Sequence, residues 1–189
     1  MSYFFESLTC SGENVEFPKF KYHPDPISTG AIKESDEACE CCGKSRGYVY
    51  TSNLYTEEDI EFICPWCIAD GSAAKKFDGM FSDDHPLQEA GVSEEIISEV
   101  CERTPGYNSW QQEVWQAHCG IACEFHGDAE KKELNELEGE ALETFLRAEM
   151  IKPDVWQNIL EHYEKGGNPA VYKFKCTDCS EVIYTMDFT

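Results

Sequence analysis

The sequence predicts an α+β fold in which a β-hairpin lies toward each end and about four to five helices lie between them. Runs of β-branched and aromatic residues flank Cys-x2-Cys pairs in two separate places, as strands beside a turn would. Apolar residues recur at helical spacing between the two places. With 189 residues and 41% hydrophobic content, the chain can bury a core as one compact unit.

The first predicted hairpin pairs segment 48–51 with segment 60–63 across the polar connection 56–59. Before it, Pro18, Pro24 and Pro26 disfavour a helix and indicate an extended arm that wraps the core. We therefore expect three regions within one folding unit. They are an N-terminal arm over 1–38, a first cysteine-hairpin module over 39–91, and a helical region over 92–189 closed by a C-terminal hairpin.

The predicted helices follow from start signals and apolar spacing. Ser93 suits an N-cap, and Ser109 with Gln112 forms a capping-box pattern. Pro153 suits a first helical turn. The resulting segments are a short helix within 68–79 followed by loop to 91, then 93–103, 109–118, roughly 130–148 and roughly 153–164, before a hairpin of 171–175 with 182–188.

Eleven cysteines indicate metal sites, because reduced thiols in an intracellular chain need another purpose than disulfides. Cys39 with Cys42 and Cys64 with Cys67 form two Cys-x2-Cys knuckles, and two such knuckles complete a tetrahedron around zinc. Both hairpins are accordingly predicted to be zinc-ribbon-like. Cys41 is interpreted as a bystander thiol, with activation by Lys44 and Arg46 as the alternative.

The second predicted zinc site combines the C-terminal knuckle with a pair in the middle of the chain. Its four ligands are Cys119, Cys123, Cys176 and Cys179, and His118 and His126 are the alternatives. Cys10 and Cys101 have no partner at ligand spacing and are interpreted as ordinary thiols, Cys101 on the buried side of its helix.

Two closed four-cysteine sites predict structural zinc and no catalysis, because four thiolates leave no position for water or substrate. The zincin pattern and the phosphate-binding glycine–lysine loop are absent from the sequence, and no Cys-x2-Cys pair follows a proline as the deaminase pattern His-x-Glu…Pro-Cys-x2-Cys requires. We therefore expect no catalytic residues.

The composition is strongly acidic. Lys and Arg number 15 against 37 Asp and Glu, which gives a formal charge of −22 and a pI near 4.4. Affinity for nucleic acid depends on cationic side chains, so nucleic-acid binding is not expected. A partner selected by charge would be basic. Segment 124–164 alone holds twelve acidic and four basic residues. Neither a leader pattern nor a membrane-spanning run is evident, so we expect a cytoplasmic protein.

Several motifs together resemble the bacterial CbrC family of uncharacterised proteins. The similarity extends over nearly the whole chain, and its most specific part follows Cys64. This resemblance supports the zinc-hairpin architecture, and the family name has a loose association with colicin tolerance. The matching segments are 18–26, 39–43, 64–79, 103–107, 110–113, 118–120 and the closing knuckle 176–179.

The acidity, the closed sites and the tolerance association predict a non-enzymatic binder of a basic protein, most concretely an immunity protein that neutralises a nuclease toxin. Two other readings stay open. One is a thiol-based redox or zinc-handling enzyme. The other is a zinc-ribbon adaptor with a contact patch near Trp66, Phe77 and Phe81, although core packing is the favoured use of these aromatic residues. Separately, Lys75 and Lys76 are candidates to hold an anion or a partner carboxylate, but close packing of the neighbouring small residues against the zinc hairpin is favoured.

Overall fold

The computed structural model describes residues 16–189 and confirms the mixed α+β class. Seven helices and seven short strands occur within that range, and none of those helices is long and apolar enough to cross a bilayer. In chain order the elements are β1 Ile32–Glu34, β2 Tyr48–Tyr50, α1 Pro65–Ala69, α2 Ser72–Phe77, α3 His85–Glu89, α4 Glu94–Arg103, β3 Ala117–His118, β4 Ile121–Ala122, β5 Glu124–Asp128, α5 Lys131–Asn135, α6 Gly139–Ala148, α7 Pro153–His162, β6 Ala170–Lys175 and β7 Val182–Asp187.

The first hairpin forms with a different partner from the one predicted. Strand β2 pairs antiparallel with β1, which belongs to the segment expected to be an extended arm, and not with 60–63. Segment 60–63 runs beside β2 through one bond, from Tyr50 N–H to Ile63 O at 2.8 Å. The Glu40 carboxylate accepts the N–H groups of Glu61 and Phe62, each at 2.8 Å. The Glu40 side chain thus satisfies two backbone N–H groups that would have bonded to a neighbouring strand in the predicted hairpin.

The predicted helix over 109–118 is wrong. The Asp187 carboxylate accepts the N–H groups of Trp110 and Gln111, at 2.7 and 3.2 Å, and the Tyr107 hydroxyl accepts that of Val114 at 2.9 Å. These side chains replace helical carbonyls as acceptors, so the segment folds as a loop. Its end supplies the two-residue strand β3, which pairs with β4 just beyond it.

The remaining helices follow the sequence more closely. Helix α4 begins after Ser93 and buries Ile97, Val100 and Cys101, which confirms that prediction. Helix α7 confirms the segment from Pro153. The long helix predicted over 130–148 is divided into α5 and α6, with Gly139 at φ +60° at the break.

A three-stranded antiparallel sheet of order β5-β6-β7 separates two core clusters. Residues alternate between them along β6: Tyr172 and Phe174 join Trp115 and Phe125 on one face, whereas Val171 joins the cluster of α5, α6 and α7 on the other. The C-terminal hairpin prediction is confirmed. A third cluster surrounds Cys39, Cys64 and Cys67, and it includes Phe77 and Phe81. Those two aromatic side chains are buried, so neither contributes to an exposed contact patch.

The loop 104–107 locks the N-terminal and C-terminal parts of the core together. The carbonyl of Pro105 lies 2.9 Å from Nδ1 of His23, whose Nε2 lies 2.7 Å from the Thr29 hydroxyl. A Cβ on Gly106 would stand 2.2 Å from the Phe81 carbonyl oxygen, so only glycine fits this approach. His23 is fully buried, and that burial lowers the pKa of its imidazole to about 4.

The buried His23 predicts an acid-sensitive fold. A base whose pKa falls on folding contributes stability that is present above its unfolded pKa, about 6.5, and is lost as pH falls toward 4. Between pH 7 and 4 we expect the wild type to lose about 3 kcal/mol more of its unfolding free energy than His23→Gln does. Urea unfolding across that range measures the difference. The exposed His162→Gln serves as control, and parallel curves for wild type and His23→Gln would contradict the prediction.

Candidate metal centres

Four cysteines from two knuckles converge in the N-terminal half as the sequence predicts. The sulfurs of Cys39, Cys42, Cys64 and Cys67 all lie within 4.8 Å of one another. The Cys42 and Cys64 sulfurs are 3.9 Å apart. Tetrahedral zinc with bonds of about 2.3 Å separates its sulfurs by about 3.8 Å, whereas a disulfide requires about 2.05 Å. The set therefore fits one metal ion and not a disulfide.

Local structure fixes each knuckle. A turn follows Cys39, whose carbonyl accepts the Gly43 N–H at 2.6 Å, and Gly43 has φ +71°. Cys64 is the N-cap of α1, Pro65 begins the helix, and Cys67 lies three residues on. The Cys64 N–H donates to the Cys39 sulfur at 3.2 Å, which ties the two knuckles directly.

The electrostatics of this cluster favour a cation. Hydrogen bonding from the Cys64 thiol, supported by backbone N–H groups, lowers the pKa of Cys39 to about 4. The same thiolate and burial raise the pKa of Cys64. Burial raises the pKa of Cys67 to about 12. The protein alone thus stabilises the Cys39 thiolate, and a divalent cation would stabilise those of Cys64 and Cys67.

Lys76 supports the first knuckle from helix α2. Its ammonium donates to the carbonyls of Glu40 and Cys41, at 2.7 and 3.0 Å. Lys76 thereby places a positive charge beside a cluster of thiolates and holds the turn between Cys39 and Cys42. The neighbouring Lys75 is exposed and makes no such contact. The structure thus gives Lys76 an internal contact in place of an anion-binding role.

Cys41 lies outside the first ligand set. Its thiol is 3.6 Å from the Ser72 hydroxyl and partly buried. Arg46, one of two cations considered able to activate it, lies over the Trp66 ring at 5.3 Å instead. Trp66 is half-buried and donates its indole N–H to the Glu16 carbonyl at 3.0 Å.

The second cluster combines three predicted cysteines with a histidine. Nδ1 of His118 and the sulfurs of Cys119, Cys176 and Cys179 lie within 4.8 Å of one another. Nδ1 is 3.3 Å from each of the sulfurs of Cys119 and Cys179. Bonds of about 2.05 Å to nitrogen and 2.3 Å to sulfur would separate these atoms by about 3.5 Å. This set also fits one metal ion.

Two tight turns present these ligands. Cys119 and Gly120 connect β3 to β4 with φ +53° and +74°, the pattern of a two-residue hairpin turn. Cys176 directly follows β6, its carbonyl accepts the Ser180 N–H at 3.1 Å, and Ser180 has φ +65°. Ser180 thus occupies the left-handed position that Gly43 occupies after the first knuckle, at a conformational cost that glycine avoids.

One thiolate is again favoured. The N–H of Cys179, then that of Asp178, lowers the pKa of Cys176 to about 6. Hydrogen bonding to Cys179 raises the pKa of Cys119 to about 12. Cys119 and Cys179 are exposed in this set, whereas in the first set Cys42 is exposed and Cys39, Cys64 and Cys67 are buried. The second centre is therefore the more open of the two.

The structure brings His118, rather than Cys123, together with the other three ligands. Cys123 is fully buried after β4, its carbonyl accepts the Trp115 indole N–H at 2.8 Å, and burial raises the pKa of its thiol to about 12. His126, the other alternative, contacts Glu124 at 3.1 Å. The signal for His118 was its position beside Cys119 and Gly120 in a hairpin turn, which the predicted helix over 109–118 obscured.

The other two cysteines have separate outcomes. Cys101 is buried on α4, as predicted, and burial raises the pKa of its thiol to about 12. Cys10 lies outside the described residues. Within residues 16–189, the two ligand sets are the two groups able to hold a metal ion.

The ligand assignment predicts a difference in metal content between two variants. His118→Ala removes a ligand and should reduce the purified protein from two metal ions per chain to one. Cys123→Ala removes a buried thiol outside the ligand set and should retain both. Elemental analysis by mass spectrometry with quantified protein measures the ratio. Loss of one ion from Cys123→Ala, with both kept by His118→Ala, would restore the four-cysteine scheme.

Lys76 predicts a difference in metal retention. Lys76→Met should accelerate metal transfer from the first centre to a chelator by about tenfold, because outer contacts that orient a ligand turn commonly change metal affinity by that amount. Lys75→Met removes the same charge one residue away and should release metal at the wild-type rate. Equal rates for the two variants would contradict the supporting role of Lys76.

Comparisons with known proteins agree over nearly the whole length. The model of an uncharacterised protein family (UPF0167) matches residues 17–188. The UPF0167 protein PA1536 of Pseudomonas aeruginosa is 49% identical over 179 residues, covering 93% of this chain and 99% of that protein. UPF0167 proteins of Mycobacterium bovis (Mb2317) and Mycobacterium tuberculosis (MT2352) are each 38% identical over 176 residues, covering 92% of this chain and 94% of theirs. No solved structure matches.

Proposed function

The chain belongs to the uncharacterised protein family UPF0167, and we propose that it is a non-enzymatic, zinc-stabilised protein that binds a basic protein partner. The observation that carries this proposal is the completeness of both ligand sets. Each has four side chains converging on one point, which saturates the usual coordination of zinc and leaves no position for a substrate. Thiolate and imidazole ligands in tetrahedral sets suit zinc best among the common divalent ions.

The acidic surface supports a basic partner. Of the twelve acidic residues in 124–164, eight are exposed. Among described residues, only four Lys–Glu and two His–Glu pairs lie within 4.0 Å. Most of the described carboxylates therefore have no basic side chain of this chain within that distance. Such a surface attracts a cationic protein over long range and speeds its capture.

The resemblance to the CbrC family, with its association with tolerance, makes the proposal more concrete. An acidic protein that covers a basic nuclease would neutralise the toxin without chemistry of its own. In this proposal the chain is a cytoplasmic immunity protein, and the zinc centres hold the shape of its binding surface.

Co-expression tests this proposal. The chain should protect cells from a basic nuclease encoded beside it, and the two proteins should purify as a complex that weakens with added salt. Cys64→Ser with Cys67→Ser should remove protection because it destroys the first centre, whereas Cys41→Ser should keep it. The immunity function would be rejected if the chain neither protected cells from any product of a neighbouring gene nor formed a complex with one.

The openness of the second centre supports a second candidate, a zinc-handling or thiol-redox protein. Two of its three cysteines are exposed, and they would be accessible to an acceptor. This candidate requires that the zinc-loaded protein transfer one ion to a weak chelator, or that one cysteine react rapidly with iodoacetamide. Slow transfer of both ions and unreactive cysteines would leave the binding function as the better account.

A further inference from the structure

The sheet has an unpaired edge beside the second metal centre. Strand β7 pairs with β6 on one side and with no other described strand on the other. The Cys176 N–H donates to the Glu181 carbonyl at 2.8 Å, so these residues form a hydrogen-bonded pair. From there, non-hydrogen-bonded and hydrogen-bonded pairs alternate along the antiparallel register of β6 and β7. The main-chain N–H and C=O groups of Val182 and Tyr184 therefore face the free edge. The Glu149 carboxyl lies against Met186 and limits the edge at its far end.

A cleft of about 380 Å³ adjoins this edge. Helix α6 forms one wall and the first half of β7 the other. Its apolar surface comes from side chains that include Leu137, Phe145, Val182 and Tyr184. His118 lines it as well, so the metal centre lies at one end of the cleft.

The charges that line the cleft have one sign. His118 and two carboxylates, those of Glu140 and Glu181, line the cleft. No lysine or arginine is among the lining residues. Neither glutamate lies within 4.0 Å of a basic side chain among the described residues. Apolar walls with carboxylates match a long side chain that has an aliphatic stem and a cationic end, which is the chemistry of lysine and arginine.

We propose that this edge binds an extended segment of a basic protein, with lysine or arginine at alternate positions. The segment adds a strand to β7 through the main-chain groups of Val182 and Tyr184. Successive side chains of a strand point to opposite faces, so alternate basic residues enter the cleft while the others point away. This inference rests on the proposed function, since it names the surface with which the basic partner is held.

A synthetic peptide of four Lys-Thr repeats, labelled with a fluorophore, tests the surface on the zinc-loaded protein. Binding is measured by fluorescence anisotropy at low salt, and amide shifts of Val182 and Tyr184 are followed by NMR. Glu140→Gln with Glu181→Gln should weaken binding about tenfold, whereas Glu57→Gln with Glu58→Gln, an exposed pair outside the cleft, should weaken it less than about twofold. A norleucine-Thr peptide, which keeps the stem without the charge, should bind at least about tenfold more weakly.

A backbone variant tests strand addition. Val182→Pro removes an N–H that faces the free edge, and proline is tolerated at such edge positions. It should weaken binding by about tenfold or more relative to Val182→Ala, which loses the side chain but keeps the donor. Retained metal content shows that Val182→Pro is folded; if it is not, the glutamate pairs decide alone.

The possible outcomes separate this inference from the proposed function. Equal weakening by both glutamate pairs, equal affinity of the two peptides, or no binding would overturn the edge site. A basic protein partner whose affinity is unchanged by Glu140→Gln with Glu181→Gln would overturn the edge site and leave the proposed function standing. Peptide binding that follows the expected pattern, with no protein partner found, would support the edge site and count against the immunity function.

Discussion

The repulsion between closely placed thiolates is the constraint on which the rest of this structure depends. Three or four sulfurs held within 4.8 Å of one another cannot all be charged unless a cation lies between them. The backbone around each set accommodates that arrangement with left-handed turns, and Lys76 adds a positive charge beside the first set. Strands of two or three residues contribute little stability alone, so the turns that connect them depend on a cation held by the cysteines.

The metal sets also determine which segments meet in the core. The first set brings the turn after β1 to the start of α1, and its buried cysteines belong to the same cluster as Phe77 and Phe81. The second brings the β3–β4 turn to the end of β6, where Cys176 and Cys123 join the core around Trp115. Because Gly106 and His23 then connect these clusters, loss of either centre would loosen more than a surface loop.

The sequence predicted the convergence of Cys39, Cys42, Cys64 and Cys67 and the C-terminal hairpin, because Cys-x2-Cys spacing and alternating apolar strands are local signals. It misplaced β2's partner and the loop around Trp110, where the acceptors are Glu40 and Asp187, the latter 77 positions away from Trp110. Only tertiary structure reveals such bonds. The same limit applied to the second ligand set, because sequence spacing could not show whether His118 or Cys123 faces the C-terminal knuckle.

The two centres differ in how much of the chain must be synthesised before all four ligands are present. The first is complete once Cys67 has been made, whereas the second joins Cys119 to Cys179 and needs 112 further residues after Cys67 (179 − 67). At about 5–20 residues per second, that interval lasts roughly 6–22 s. For the last 60 residues of that interval (179 − 119), His118 and Cys119 have no partner knuckle. A nascent chain that binds metal at both sets would therefore load them in a fixed order, and scarcity of metal late in synthesis would leave the C-terminal half unfinished.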